Sequence, residues 1–271
     1  MRKTFKMVRK PVESCGTILS FPRSGSSYLR YLLEGVTGYS TMDIKYLLSK
    51  EEGSVINYDS DKCIAIKSHF LESMTNHKKV VFLQRNPLDA LVSHTSRYIS
   101  FQVSETIKTQ KENDPLSPVK TFRISWTQSM IDNIKYHLVM YENMVKHMTW
   151  RIINQQPVMV LNYDYLVKNP KNSIWKVINF LDPSISKNDC DLSEKNINEL
   201  TEKSRHIYGN KEDVWVKEHI SRDEVRNFIR NTFGSDKDVW SKCYRYIMSQ
   251  YENDLEFMIN TYSKGTCFVC G

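Results

Sequence analysis

The 271 residues carry 38 Lys and Arg against 31 Asp and Glu, a formal charge of +7, with 40% hydrophobic and 25% charged residues. That is the composition of an ordinary globular chain long enough to bury one large core. The positive excess is spread along the chain without an arginine-rich stripe, so it suits an anionic ligand and argues against nucleic acid as a partner.

The first ten residues form a small basic tail. Nothing after Lys10 supplies the apolar core of about 7–15 residues of a signal peptide. No run approaches the roughly 18 apolar residues that span a bilayer, so a cytoplasmic protein without a membrane partner is expected. Thr17 to Phe21 predicts a buried strand, followed by a Pro22-Arg23-Ser24-Gly25 turn. A helix follows, with Leu29, Leu32, Leu33 and Val36 spaced i, i+3, i+4 and i+7. Tyr39 to Asp61 is mixed, and Leu47 and Leu48 suggest a short helix there. Cys63 to Lys67 predicts a second strand ending in Lys67-Ser68-His69, and Lys79 to Gln84 a third. Asn86 suits a helix N-cap and Pro87 a first helical position; Leu88, Leu91, Val92 and Ile99 continue the apolar face.

Ser100 to Phe122, with Pro115 and Pro118, is polar and predicts a lid or a surface excursion. A long helix is expected from about Ser125 to Asn154, with Trp126, Met130, Ile134, Leu138, Tyr141, Val145 and Met148 as its core stripe. Pro157 to Leu161 predicts a fourth strand, and Asn169-Pro170 opens a helix whose inner face is Ile174, Val177, Ile178 and Leu181. The rest is mainly helical, broken at Gly209 and Gly234. Four apolar strands alternating with helices imply an α/β fold, a single central parallel sheet with helices on both faces. The expected organisation is a flexible tail over 1–14, one domain over 15–262 and a C-terminal tail over 263–271.

Six unevenly spaced cysteines fit reduced thiols. Cys15 and Cys63 adjoin strands and read as core packing. Cys267-Phe268-Val269-Cys270 is half of a zinc site at most, and reads as a feature of the tail.

In a parallel sheet, ligands bind beyond the carboxyl ends of the strands. Polar groups recur at those ends: Arg23 to Ser27 after the first strand, Lys67 and His69 after the second, Arg85 after the third and Tyr163 after the fourth. Strand, small-residue turn and helix place backbone N–H groups and a positive helix end around an anion. Gly25 and Ser27 fit the nucleotide-binding pattern G-x-x-x-x-G-K-[ST], but Ser20 replaces its first glycine and Ser26 its lysine. The cation is Arg23, before the glycine. A plain Ser/Gly turn is the common reading of so short a string. A lone histidine is likewise usually structural, and His77, His94, His137, His147, His206 and His219 start from that reading.

Ser20-Phe-Pro-Arg-Ser-Gly-Ser-Ser-Tyr28 resembles the 5′-phosphosulfate loop of sulfotransferases that use 3′-phosphoadenosine 5′-phosphosulfate (PAPS). Ile66-Lys67-Ser68-His69-Phe70 is similar to the family's segment with its catalytic histidine. Lys79 to Ser93 resembles the 3′-phosphate segment, with Arg-Asn-Pro-x-Asp and a serine eight residues after the arginine. Asn162-Tyr163-Asp164-Tyr165-Leu166 with Asn169-Pro170 resembles a fourth segment. The matches span about residues 16 to 182 in the family's order. Beyond them, Glu212 to His219 echoes only half of a C-terminal motif, with Arg205, His206 and Lys211 as substitutes for its basic pair. Tyr28 stands where the family has a tryptophan and Arg23 where it has a lysine.

The resemblance implies transfer of a sulfuryl group from PAPS to a hydroxyl or amine of a small-molecule acceptor, leaving adenosine 3′,5′-bisphosphate (PAP). His69 is the expected general base, an imidazole being suited to that near neutrality. Arg23 and Lys67 would stabilise charge on the sulfuryl and leaving oxygens. The donor would be held by Arg23, Ser24, Gly25, Ser26, Ser27 and Tyr28, by Arg85 and Ser93, and by Tyr163, Lys211 and Lys217. Eight residues along a helix return within about a quarter turn, so Arg85 and Ser93 can share one phosphate. No metal is required, since cations take the place of Mg²⁺. One alternative is a P-loop kinase or NTPase, which predicts a lysine after Gly25 and an acidic residue closing a strand; Ser26 and the strand end Val80-Val-Phe-Leu-Gln84 supply neither. The other is a catalytically silent relative that keeps the PAPS/PAP site, against which Lys67 and His69 speak. The acceptor and the oligomeric state, for which a dimer is possible, have no motif.

Overall fold

In the computed structural model, which describes residues 15–43, 63–71, 79–113, 128–209, 222–233 and 267–270, the apolar runs pair into a parallel six-stranded sheet. The strands are Gly16–Ser20 (β1), Ser40–Asp43 (β2), Cys63–Ser68 (β3), Val80–Gln84 (β4), Val158–Asn162 (β5) and Cys267–Cys270 (β6), ordered β2-β3-β1-β4-β5-β6. The helices are Ser26–Thr37 (α1), Pro87–Asn113 (α2), Gln128–Ile153 (α3), Tyr163–Lys168 (α4), Pro170–Leu181 (α5), Glu194–Gly209 (α6) and Arg222–Phe233 (α7).

Successive strand residues point to opposite faces, and both faces here are apolar because both are covered. Ile18, Val81, Leu83, Met159 and Leu161 pack with α1, α5 and α6 through Leu29, Leu33, Ile174 and Ile197. Leu19, Phe82, Val158 and Val160 pack with α2, α3 and α7 through Leu91, Ile134, Met144 and Val225. Each fully buried Leu or Ile of this kind contributes about 1.5–3 kcal/mol relative to leaving it in water. The expected parallel α/β architecture is therefore the one the chain adopts.

The strand order places a reversal at β1. The chain leaves β1 for β2 and β3 on one side, then crosses to β4 on the other, with Ile18 in register with both Lys67 and Val81. The helix following β1 covers one face and the helix following β4 covers the other. A crevice therefore opens beyond the carboxyl ends of β1 and β4.

Three expectations change. Ser40–Asp43 is a strand inside the segment that read as mixed; it pairs with β3 through an irregular register between Ser40 and Thr41. The proposed helix around Leu47 and Leu48 lies outside the described residues. The predicted break at Ser100 is absent: α2 continues to Asn113. Its far end is solvated, with Thr109, Glu112 and Asn113 exposed, so the apolar period lapses while the backbone hydrogen bonds continue. Pro115 follows two residues later and cannot extend a helix. Residues 114–122 of the expected lid, and Trp126, lie outside the described residues. Cys267–Cys270, which read as tail, pairs with β5 at the sheet edge, Val158 opposite Cys267 and Leu161 opposite Cys270. Cys15 and Cys63 are buried as expected, in one small cluster with Met42 and Ile66.

Candidate active site

The loop after β1 is shaped by two residues in the left-handed region, Arg23 at φ 68° and Gly25 at φ 93°. The Ser24 N–H donates to the Phe21 carbonyl (3.1 Å), closing the turn. The Leu29 N–H donates to the Gly25 carbonyl (3.0 Å), which makes Gly25 the cap of α1 with no side chain over it. The first N–H groups of α1, which have no acceptor within the helix itself, lie at its positive end beside this loop. A Cβ at Gly25 would overlap the Tyr163 ring.

Three segments meet on this loop. Arg23 Nε donates to Ser93 Oγ at 3.2 Å, and Arg85 Nη1 donates to the Arg23 carbonyl at 2.9 Å. The Arg85 guanidinium lies over the Tyr163 ring, 4.8 Å from its centroid. Ser93 is set by the start of α2, where Asn86 Oδ1 accepts from the N–H groups of Leu88 (3.0 Å) and Asp89 (3.2 Å). Tyr163 is set in the same way: Asn162 Oδ1 accepts from the N–H groups of Asp164 and Tyr165 and starts α4 where β5 ends. The strained Arg23 backbone is thus held by its own carbonyl and its own side chain.

His69 follows β3, and its Nδ1 lies 2.7 Å from the Ser20 carbonyl oxygen. A carbonyl only accepts, so Nδ1 carries a proton, and in the neutral tautomer Nε2 is then the basic nitrogen. Ser20 Oγ lies 3.4 Å from the same nitrogen. Lys67, two residues earlier, shares the strand end.

These groups line one cleft of about 770 Å³. Arg23, Gly25, Ser26, Ser27, Tyr28, Lys67, His69, Arg85, Ser93 and Tyr163 all contribute to its wall. Ser24 sits behind the loop, its Oγ buried without a hydrogen-bond partner among the described residues. Lys211 and Lys217 lie outside the described residues. The Tyr28 and Thr201 hydroxyls meet at 3.2 Å and bring α6 to the rim.

Sequence reasoning passed over a second wall, made by Phe70 and by His94, Arg97, Tyr136, His137 and Met140 of α2 and α3. The His94 and His137 rings are 4.0 Å apart and tilted by 43°. His137 Nδ1 donates to the Asn133 carbonyl (2.8 Å), which leaves its Nε2 as an acceptor in the neutral ring. Burial pushes the His94 imidazole down to about 3, and the neighbouring His137, Arg23, His69 and Arg97 add to that in the same direction. Burial lowers His137 as well. Both rings are neutral at physiological pH. The one available hint was that His94 directly follows Ser93, the last residue of a segment already singled out; His137 had none.

A family model described as "Sulfotransferase domain" matches residues 17–253 of this chain. Among curated proteins it is similar to WSCD family member GA21586 of Drosophila pseudoobscura pseudoobscura and to WSCD family member CG9164 of Drosophila melanogaster. Each is 28% identical over 145 residues, covering 48% of this chain and 45% of the relative. WSCD family member AAEL009094 of Aedes aegypti is 25% identical over the same length. The chain thus matches less than half the length of these relatives. Among solved structures, mouse sulfotransferase SULT7A1 complexed with PAP superposes with a TM-score of 0.41 at 15% identity, over 91% of each chain.

Proposed function

We propose, from the premise that this chain belongs to the sulfotransferase domain family, that it moves a sulfuryl group from PAPS to a hydroxyl or amine of a small acceptor. The observation that carries this reading is that His69, its Nδ1 set against the Ser20 carbonyl, shares one cleft with Arg23 and Lys67. The residues fit such a donor. Ser24 Oγ is a buried polar atom without a partner among the described residues, Gly25 leaves the space a Cβ would fill, and the described residues that line the cleft include no Asp or Glu.

PAPS, when bound, supplies an activated sulfuryl group with a bisphosphate leaving group. The N–H groups of Gly25 to Ser27 would hold its 5′-phosphate at the helix end. Arg85 and Ser93 would hold the 3′-phosphate, the guanidinium by its fork, and Tyr28 and Tyr163 would flank the adenine. Lys211 and Lys217 are the remaining candidates for that phosphate. His69 Nε2 would take the proton of the acceptor hydroxyl, while Arg23 and Lys67 stabilise negative charge developing on the transferred and leaving oxygens. That set of cations assigns no role to a metal.

The test is transfer of labelled sulfate from PAPS by the full chain, with PAP binding followed by calorimetry. His69→Ala is expected to cut kcat by about 10²–10⁴-fold and to leave PAP affinity as in the wild type. Thermal stabilisation by ATP–Mg²⁺ in place of PAP, or equal low activity with and without His69, would overturn the reading.

A further inference from the structure

The second wall of the cleft is not needed for the donor. Arg23, Lys67, Arg85 and Ser93 account for the groups a phosphosulfate presents. Arg97 lies one turn beyond Ser93 on α2, on the same helical face and about 6 Å further along its axis, yet it also lines the cleft. It is exposed, and no carboxylate pairs with it among the described residues. The imidazoles beside it are neutral, because His94 is buried and surrounded by cations. Among the described residues of this wall, Arg97 therefore carries the positive charge. On the same wall His137 Nε2 is a hydrogen-bond acceptor, and Tyr136 and Met140 supply apolar surface.

We propose that Arg97 and His137 form the acceptor subsite, and that the acceptor carries an anionic group (carboxylate, sulfate or phosphate) held by Arg97 beside a hydroxyl that donates to His137. This rests on the sulfuryl-transfer reading above, since it names the class of acceptor for the same cleft. The physical reason is local. A guanidinium with no counter-ion among the described residues, in a cleft whose described lining has no carboxylate, favours an oxyanion that matches its fork. A neutral imidazole with one fixed N–H accepts a hydroxyl proton without competing for the anion.

The experiment uses matched probes that differ by one charge, 4-hydroxyphenylacetate against its amide, and methyl glucuronide against methyl glucoside. Turnover with labelled PAPS is measured on the full chain, and binding of the same probes to the PAP-loaded protein by ligand-observed NMR. The anionic member of each pair is expected to be favoured roughly three- to tenfold, through KM. Arg97→Gln should bring that ratio towards one, and Arg97→Lys should restore part of it. Indifference to probe charge in the wild type overturns the proposal. So does loss of PAP affinity in Arg97→Gln, which would assign this arginine to the donor. Absence of turnover with every probe counts against the sulfotransferase reading. The NMR arm then still decides the subsite: binding of the anionic probe that Arg97→Gln abolishes supports it, and binding that is absent or unaltered refutes it.

Discussion

Gly25→Ala is the sharpest test of how the cleft is built. At φ 93° an L side chain is strained by about 1–2 kcal/mol. The new methyl would also overlap the Tyr163 ring, and pushing that ring off its rotamer costs about another 0.5–1.5 kcal/mol. The expected destabilisation is therefore about 1.5–3.5 kcal/mol, measurable by urea unfolding. Because the Arg85 guanidinium rests on the same ring, the displacement reaches the other side of the cleft. PAP affinity should fall about tenfold, equivalent to losing one charge-assisted contact of ~1.4 kcal/mol. Tyr163→Ala in the Gly25→Ala background removes the overlap and keeps the backbone strain, so the pair should show a coupling of about 1 kcal/mol. Wild-type stability and PAP affinity in Gly25→Ala would refute the account of the loop, and additivity of the two substitutions would refute the steric part.

His94 makes the fold acid-sensitive. Its folded pKa, about 3, lies below the ordinary 6.5, so as pH falls through this window the unfolded chain binds a proton that the folded chain refuses, and stability drops. At pH 5 the loss is on the order of 1–2 kcal/mol, and His94→Gln should lose correspondingly less between neutral pH and pH 5 in urea melts; identical pH profiles would contradict this. Arg85→Lys keeps the charge but loses the fork and the ring contact, so calorimetry should show PAP binding weakened by about tenfold, whereas unchanged affinity would place the phosphate elsewhere. Asn86→Ala removes the acceptor for the Leu88 and Asp89 N–H groups and should cost about 1 kcal/mol in urea unfolding.

The parts of this protein that its sequence determines are those encoded within a few consecutive residues. β1, β4 and β5 are unbroken apolar runs, and a strand buried on both faces can be written in no other way. α1 shows its buried stripe at helical spacing, and Asn86-Pro87 and Asn169-Pro170 mark helix starts through caps that depend only on neighbours. The Arg23–Ser27 turn and the strand-end positions of Lys67, His69 and Arg85 were legible for the same reason, since a parallel sheet aligns its carboxyl ends whatever its strand order. β2 and β6 were not legible, because four-residue strands gain their hydrogen bonds from a partner many residues away. The far half of α2 was hidden because a solvated helix has no apolar period.

Packing alone decided the rest. The reversal at β1 sends α1 and α2 to opposite faces and so opens the crevice. The docking of α3 beside α2 puts His137 4.0 Å from His94 and brings Tyr136 and Met140 to the same wall as Arg97. No spacing rule links residue 94 to residue 137. Burial lowers both imidazoles, and nearby cations lower His94 further, an environment that only the assembled cleft supplies.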